Sequence, residues 1–296
     1  MSIRAQMIST VLRRTLKKQM ASFTDHTRLR KQAGAGFGRL PDAVQTQAVD
    51  AGGVSAEWVR WQTAQPGKAI LYLHGGGYVF GSLDSHRGLV WRISRASGCD
   101  ALVVDYRLAP EHVFPAAVED ALASYQWLLQ QGIAAEQVVV AGDSAGGGLA
   151  LALLLKLREM GQAQPAAAVL LSPWADLTLS GESVQKYADR DAMLSPAALQ
   201  RFTELYLGDA DPRSPLVSPV FADLKGLPPS YVLVGSEEVL RDDAERLVEN
   251  MRRQGGEAQL EVWPRMPHVF PLLAPLIPEA ERAINDVGRF IQARLG

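Results

Sequence analysis

The sequence lacks most of the features that would assign it to a specialised class. Its 296 residues hold one cysteine, Cys99, which excludes an internal disulfide and fits a reducing compartment. No Cys/His cluster has the spacing of metal ligands, so no metal is expected. No run approaches about 18 consecutive apolar residues, which speaks against a transmembrane helix. The N-terminus has no continuous apolar core of a secretory signal. Neither G-x-G-x-x-G nor a Walker pattern occurs, and no aromatic-interleaved basic patch points to nucleic acid. There is no internal repeat. These absences leave a soluble chain, cytoplasmic by default, with no cofactor, long enough for one large α/β domain or two small ones.

Charge is present but uneven. Residues 1–40 hold nine Lys/Arg against Asp25, a net of +8, while the remainder holds 21 basic and 31 acidic residues, a net of −10. One reading is a basic arm that meets an anionic membrane surface or nucleic acid. The plainer reading, adopted here, is a cap helix resting on the acidic body of its own protein. Ile3, Met7, Ile8, Val11, Leu12 and Leu16 recur at helical spacing over 3–20, with the basic residues mostly opposite. A short helix is expected over 24–33, and Gly34-Ala35-Gly36-Phe37-Gly38 then reads as a mobile connection.

Beyond it, strands are expected at Val44–Asp50 and Ala56–Trp61, a hairpin around Gly52-Gly53, then at Ala69–Leu73 and Ala101–Val104, from Val138, and at Ala167–Leu171, Tyr231–Val234 and Ala258–Val262. Helical patterns separate them at 86–97, 116–130, from Leu149, at 242–254 and at 279–294. Residues 174–225 break the rhythm, with one helical stretch at 196–207. This alternation argues for a mostly parallel sheet of about eight strands covered on both faces. Ligands of such sheets bind beyond the carboxyl ends of the strands, where each candidate motif falls.

The central motif is Gly142-Asp143-Ser144-Ala145-Gly146, a G-x-S-x-G between the β-branched run Val138-Val139-Val140 and a leucine-rich helix. A strand turning sharply into a helix holds its pivot serine outward at a helix N-terminus, and small neighbours let the backbones approach. A serine hydroxyl needs a base. Of five histidines, only His268 lies late in the chain after the final strand, in the order Ser…acid…His. The acid should come from Gly235-Ser236-Glu237-Glu238, since Asp242 and Asp243 read as the cap and first turn of the next helix. Spacing alone does not separate Glu237 from Glu238. His74-Gly75-Gly76-Gly77 offers backbone amides which, with that of Ala145, would hold an oxyanion.

With these residues in hand, the chain resembles the bacterial hormone-sensitive-lipase-like carboxylesterases of the α/β-hydrolase superfamily. The resemblance rests on His74-Gly75-Gly76-Gly77-Tyr78, Asp105-Tyr106-Arg107-Leu108-Ala109-Pro110-Glu111-His112, Gly142-Asp143-Ser144-Ala145-Gly146-Gly147 and Leu171-Ser172-Pro173-Trp174, and spans roughly residues 68–270. It implies Ser144 as nucleophile, His268 as base, and Gly76, Gly77 and Ala145 as oxyanion donors. The family's acid stands four residues before a second Asp, usually in Asp-Pro-Leu-x-Asp. Here that register reads Glu238-Val239-Leu240-Arg241-Asp242, with Glu for Asp and Val for Pro, and selects Glu238 over Glu237. The resemblance further implies a cap built from residues 1–45 and an insertion at 174–225 on a catalytic body spanning 46–296. Tyr106 to Glu111 would buttress the oxyanion loop, and Asp143 would be structural.

The implied reaction is hydrolysis of short- to medium-chain carboxylic esters through an acyl-enzyme, with a small-molecule ester as the only partner beyond a homodimer through the last strand or helix. The alternatives are an amidase or peptidase with the same triad, or a non-catalytic small-molecule receptor on the same fold, which loss of the histidine would favour.

Overall fold

A computed structural model describes residues 1–33 and 40–296; the glycine-rich connection expected at 34–38 lies outside the described residues. Chain order begins with α1 (Ile3–Arg14), α2 (Leu16–Ser22) and α3 (His26–Ala33). The hairpin β1 (Val44–Asp50) and β2 (Ser55–Trp61) follows, then β3 (Gln65–Leu73), α4 (Leu83–Ser97), β4 (Cys99–Val104) and α5 (Ala116–Gln130). Next come β5 (Val138–Asp143), α6 (Ala145–Glu159) and β6 (Ala167–Leu171). After α7 (Ser183–Lys186) and α8 (Pro196–Leu207), the chain closes with β7 (Ser230–Gly235), α9 (Arg241–Arg253), β8 (Ala258–Trp263) and α10 (Pro278–Leu295).

The described residues build one eight-stranded sheet of order β1-β2-β4-β3-β5-β6-β7-β8. Only β1 and β2 run antiparallel to their neighbours; β4, β3, β5, β6, β7 and β8 are mutually parallel. β1 starts at Val44, inside the segment assigned to the cap by sequence. The central strands are apolar on both faces because helices cover both. Their two-residue period divides the core. Leu71, Val140, Leu170 and Val232 pack with α5, α6 and α9. Ile70, Val139, Val169 and Leu233 pack with α4 and α10.

The structure departs from the sequence reading at three edges. The helix expected over 3–20 breaks at Thr15, whose backbone takes φ −112° and ψ −79°. Its hydroxyl donates to the Val11 carbonyl at 2.9 Å, a back-bond that bends helices. Within α1, Ala5 and Ser9 are buried whereas Ile3, Met7 and Val11 face out, so the apolar residues grouped by sequence fall on two faces. α4 starts at Leu83 rather than 86, because Ser82 and Ser85 satisfy each other's backbone amides in a capping box. β3 is longer than expected, its extra residues shifted in register between Gln65 and Ala69.

α4 and α10 cross at Gly288, where a Cβ would lie 2.6 Å from the backbone of Ala96. Gly288→Ala should therefore destabilise the fold by about 1–3 kcal/mol, the cost of overpacking, read as a lower urea midpoint at unchanged slope. An unchanged midpoint would mean that the two helices separate freely.

Candidate active site

Between β5 and α6 stands Ser144, with φ +54° and ψ −121°. A non-glycine residue holds such a backbone only where its surroundings over-determine it. They do so here by close approach. A Cβ on Gly146 would lie 2.0 Å from the Leu73 carbonyl oxygen, and one on Gly142 would lie 2.3 Å from the Gly146 oxygen. The Ser144 amide donates to Leu171 at 2.9 Å, and its carbonyl accepts from Gly147 at 3.0 Å and Trp174 at 2.9 Å. The serine is thus tied to β6 and to the segment after it.

Ser144 Oγ is 2.9 Å from His268 Nε2. His268 Nδ1 is 2.7 Å from Glu238 Oε2. Glu237 stands apart from this line, 4.0 Å from Arg190. The other Glu238 oxygen accepts from the Ser172 hydroxyl at 2.8 Å and from the Gly235 amide. Burial lifts the Glu238 carboxyl above its ordinary range, with His268 pulling against it. For His268 burial pulls the other way, but the Glu238 hydrogen bond and charge outweigh it and leave the imidazole above its ordinary value.

His74-Gly75-Gly76-Gly77 sits beside this line and is pinned from below. Asp143 accepts from the Tyr72 hydroxyl at 2.8 Å and from the Gly75 amide at 3.1 Å, and its second oxygen is 3.3 Å from His86 Nε2. Burial pushes the Asp143 carboxyl up, but the His86 charge and these hydrogen bonds prevail and hold it below the usual range. Tyr106 donates to the His74 carbonyl at 2.6 Å and stacks on its ring at 4.3 Å. His74 is buried and neutral, its pKa pulled down to about 4 by desolvation. Gly76 and Gly77 take φ +121° and +61°, and a Cβ on Gly77 would strike the Phe202 ring at 2.7 Å. Ala145 opens α6, so its N–H has no partner one turn back.

Gly76, Gly77, Ser144 and His268 line one cavity of about 80 Å³. Its other walls are mostly apolar and include Met20 from α2 and Leu199 and Phe202 from α8. Phe23 is not a wall residue; it stacks on Phe202 from behind at 5.3 Å.

Known proteins share this architecture. The α/β-hydrolase fold family matches residues 70–272. An acetyl-hydrolase of Streptomyces hygroscopicus is 48% identical over 248 residues, covering 84% of this chain and 83% of that protein. The chain belongs to the α/β-hydrolase family, in its hormone-sensitive-lipase-like branch. An esterase of Acinetobacter venetianus is 38% identical, covering 83% of this chain and 82% of its own. The crystal structure of the esterase EstE5 soaked with p-nitrophenyl butyrate superposes with a TM-score of 0.96 at 42% identity, covering 100% of this chain and 99% of that one. An esterase of the bacterial hormone-sensitive lipase family gives 0.95 at 41% identity, with 100% and 99% covered. The hydrolase described here is a carboxylic ester hydrolase. Among its described residues no helix is long and apolar enough to cross a membrane.

Two residues of this hydrolase's site escaped the sequence reading. Ser172, at φ +47°, donates to Glu238 and accepts from the Val269 amide at 3.1 Å, joining the acid to the residue after His268. In the sequence it stood only within Leu171-Ser172-Pro173-Trp174, as part of the family resemblance and with no role of its own. Asp191 accepts from the Met193 and Leu194 amides, both at 2.8 Å, and from the Val239 amide at 2.9 Å. It thereby ties a wall of the cavity to the loop that carries Glu238. Ser172→Ala leaves a buried carboxylate oxygen and an amide short of a partner. A hydrogen bond to a charged group contributes about 1.5–3 kcal/mol, so kcat on p-nitrophenyl acetate should fall about 10- to 100-fold with little change in KM. An unchanged kcat would show that Glu238 is held without it.

Proposed function

We propose that this chain is a serine carboxylesterase acting on short- to medium-chain esters through an acyl-enzyme. The observation that carries the reading is the continuous hydrogen-bonded line Glu238–His268–Ser144 opening on a small apolar cavity. His268 Nδ1–H donates to Glu238, which leaves Nε2 as the acceptor facing Ser144 Oγ. As Oγ attacks an ester carbonyl, its proton passes to Nε2. The amides of Gly76, Gly77 and Ala145 stabilise the developing oxyanion, aided by the positive end of α6. The imidazolium then protonates the departing alcohol. Water repeats the sequence on the acyl-enzyme and frees the acid.

The apolar walls from α2 and α8 support the further reading that the N-terminal helices and the segment carrying α8 form a cap that selects the acyl chain. The small cavity favours short acyl groups. A pure receptor would have no use for a base hydrogen-bonded to a strained serine.

The test is hydrolysis of p-nitrophenyl esters from acetate to laurate. The shorter esters should turn over fastest, and Ser144→Ala should remove about 10⁶-fold of kcat. No turnover of any ester by the wild type would overturn the proposal. The pH profile gives a second reading. His268 acts only when neutral, and its pKa lies above the ordinary value. The acid limb of kcat/KM should therefore fall above about pH 6.5. Glu238→Gln removes the charge that raises it, so the limb should move down while the plateau drops by about 10⁴-fold. A limb that stays in place in that variant would remove Glu238 from the mechanism.

A further inference from the structure

α1 presents an apolar stripe that the fold leaves uncovered. Ile3, Met7 and Val11 are 78%, 65% and 58% exposed. They are spaced four apart and therefore lie along one face. Arg4 adjoins this stripe and Arg14 continues it, both exposed and with no ion pair among the described residues. The helix is not free to turn the stripe inward, because its opposite face is fastened. Ala5 and Ser9 are buried, and the Ser2 hydroxyl donates to Glu279 at 2.9 Å. Arg13 donates to the Arg190 carbonyl at 2.6 Å, and Lys17, one turn on, donates to the Asp191 carbonyl at 2.8 Å.

We propose that this face docks reversibly on an anionic lipid surface. Three exposed apolar side chains flanked by cations need a partner with an apolar interior and a negative boundary. The excess of nine basic residues over one acidic in residues 1–40 supplies the long-range attraction. A second copy fits the stripe poorly, since a two-fold axis would set the same cationic face against itself. Docking is peripheral and involves no spanning segment. Its consequence is geometric. α2, which follows α1 directly, carries Met20 into the active-site cavity, so a docked helix holds that wall of the cavity beside the phase in which apolar esters dissolve.

The measurement is co-sedimentation with vesicles of phosphatidylglycerol or phosphatidylcholine at low and high salt. The wild type should pellet with phosphatidylglycerol, bind phosphatidylcholine at least about tenfold less, and be released by salt. The triple variant Ile3→Gln, Met7→Gln, Val11→Gln should lose about tenfold or more of the binding while hydrolysing water-soluble p-nitrophenyl acetate as the wild type does, which shows that the fold is intact. Should that variant fail to fold, Arg4→Glu with Arg14→Glu tests the same face through its charge and should abolish binding. The proposal is overturned if the wild type stays in the supernatant with phosphatidylglycerol, or if the variants bind as the wild type does. It is equally overturned if the stripe instead supports a dimer that the triple variant abolishes in sedimentation equilibrium, or if an acidic protein, and no vesicle, competes for it.

Discussion

The active site depends on how closely α6 approaches the ends of β3 and β5 and the segment that follows β6. Three glycines set that distance. Beyond Gly142 and Gly146, a Cβ on Gly148 would lie 2.2 Å from the Trp174 carbonyl oxygen. Any side chain there would push the helix off the sheet and relax the turn that holds Ser144 at φ +54°. Such a backbone costs on the order of 1–3 kcal/mol. The burial of α6 offsets it, since Ala145 through Leu155 are all buried. The same approach sets the amide of Ala145, the first residue of α6, next to Ser144, where the proposed reaction would place an oxyanion.

Two fully buried carboxylates hold the loops on either side of that serine, and their environments drive them in opposite directions. Asp143 is surrounded by donors: the Tyr72 hydroxyl, the Gly75 amide and His86. It stays ionised more readily than in water and fixes the start of the glycine run. Glu238 has donors too, but burial prevails over them, and the nearby charge of Asp191 adds to it. The Glu238 carboxylate therefore gains most from a positive partner, and in the proposed reaction the His268 imidazolium would be that partner. One carboxylate holds the glycine run and the other holds the His268 ring. This distinction follows from their neighbours, not from depth.

The sheet and its motifs were legible in the sequence because their signals are local. β-branched runs, turn glycines and G-x-S-x-G each act within a few residues. Ser144 and His268 follow from type and order, and the structure brings them within a hydrogen bond. The choice between Glu237 and Glu238 was not local. It depends on which side chain meets a ring 30 positions away, and only the family register pointed to Glu238. The role of Ser172 was not legible even though it sits in the motif Leu171-Ser172-Pro173-Trp174, and Asp191 had no motif signal, since each joins segments distant in sequence. The two faces of α1 were misread because apolar residues at helical spacing read as one stripe, whereas the small residues Ala5 and Ser9 are the ones that are buried. A hydrophobic pattern ranks side chains by transfer energy, but close helix packing selects for size.

The proposed reacting groups and the apolar walls of the cavity come from different parts of the chain. The reacting groups stand at strand ends of the sheet, while Met20, Leu199 and Phe202 reach the cavity from segments outside it. Substitutions in those segments could alter the pocket and leave the reacting groups in place. Phe202 is where that separation fails. Its ring lies against Gly77, stacks on Phe23 and meets Phe80 at 5.7 Å. A smaller residue there would widen the pocket and at the same time remove the wall that confines Gly77. Leu199 lines the same cavity from the same helix, but the atoms nearest a Cβ on Gly77 all belong to Phe202, so of the two Leu199 is the position from which the pocket changes with less disturbance of the glycine run.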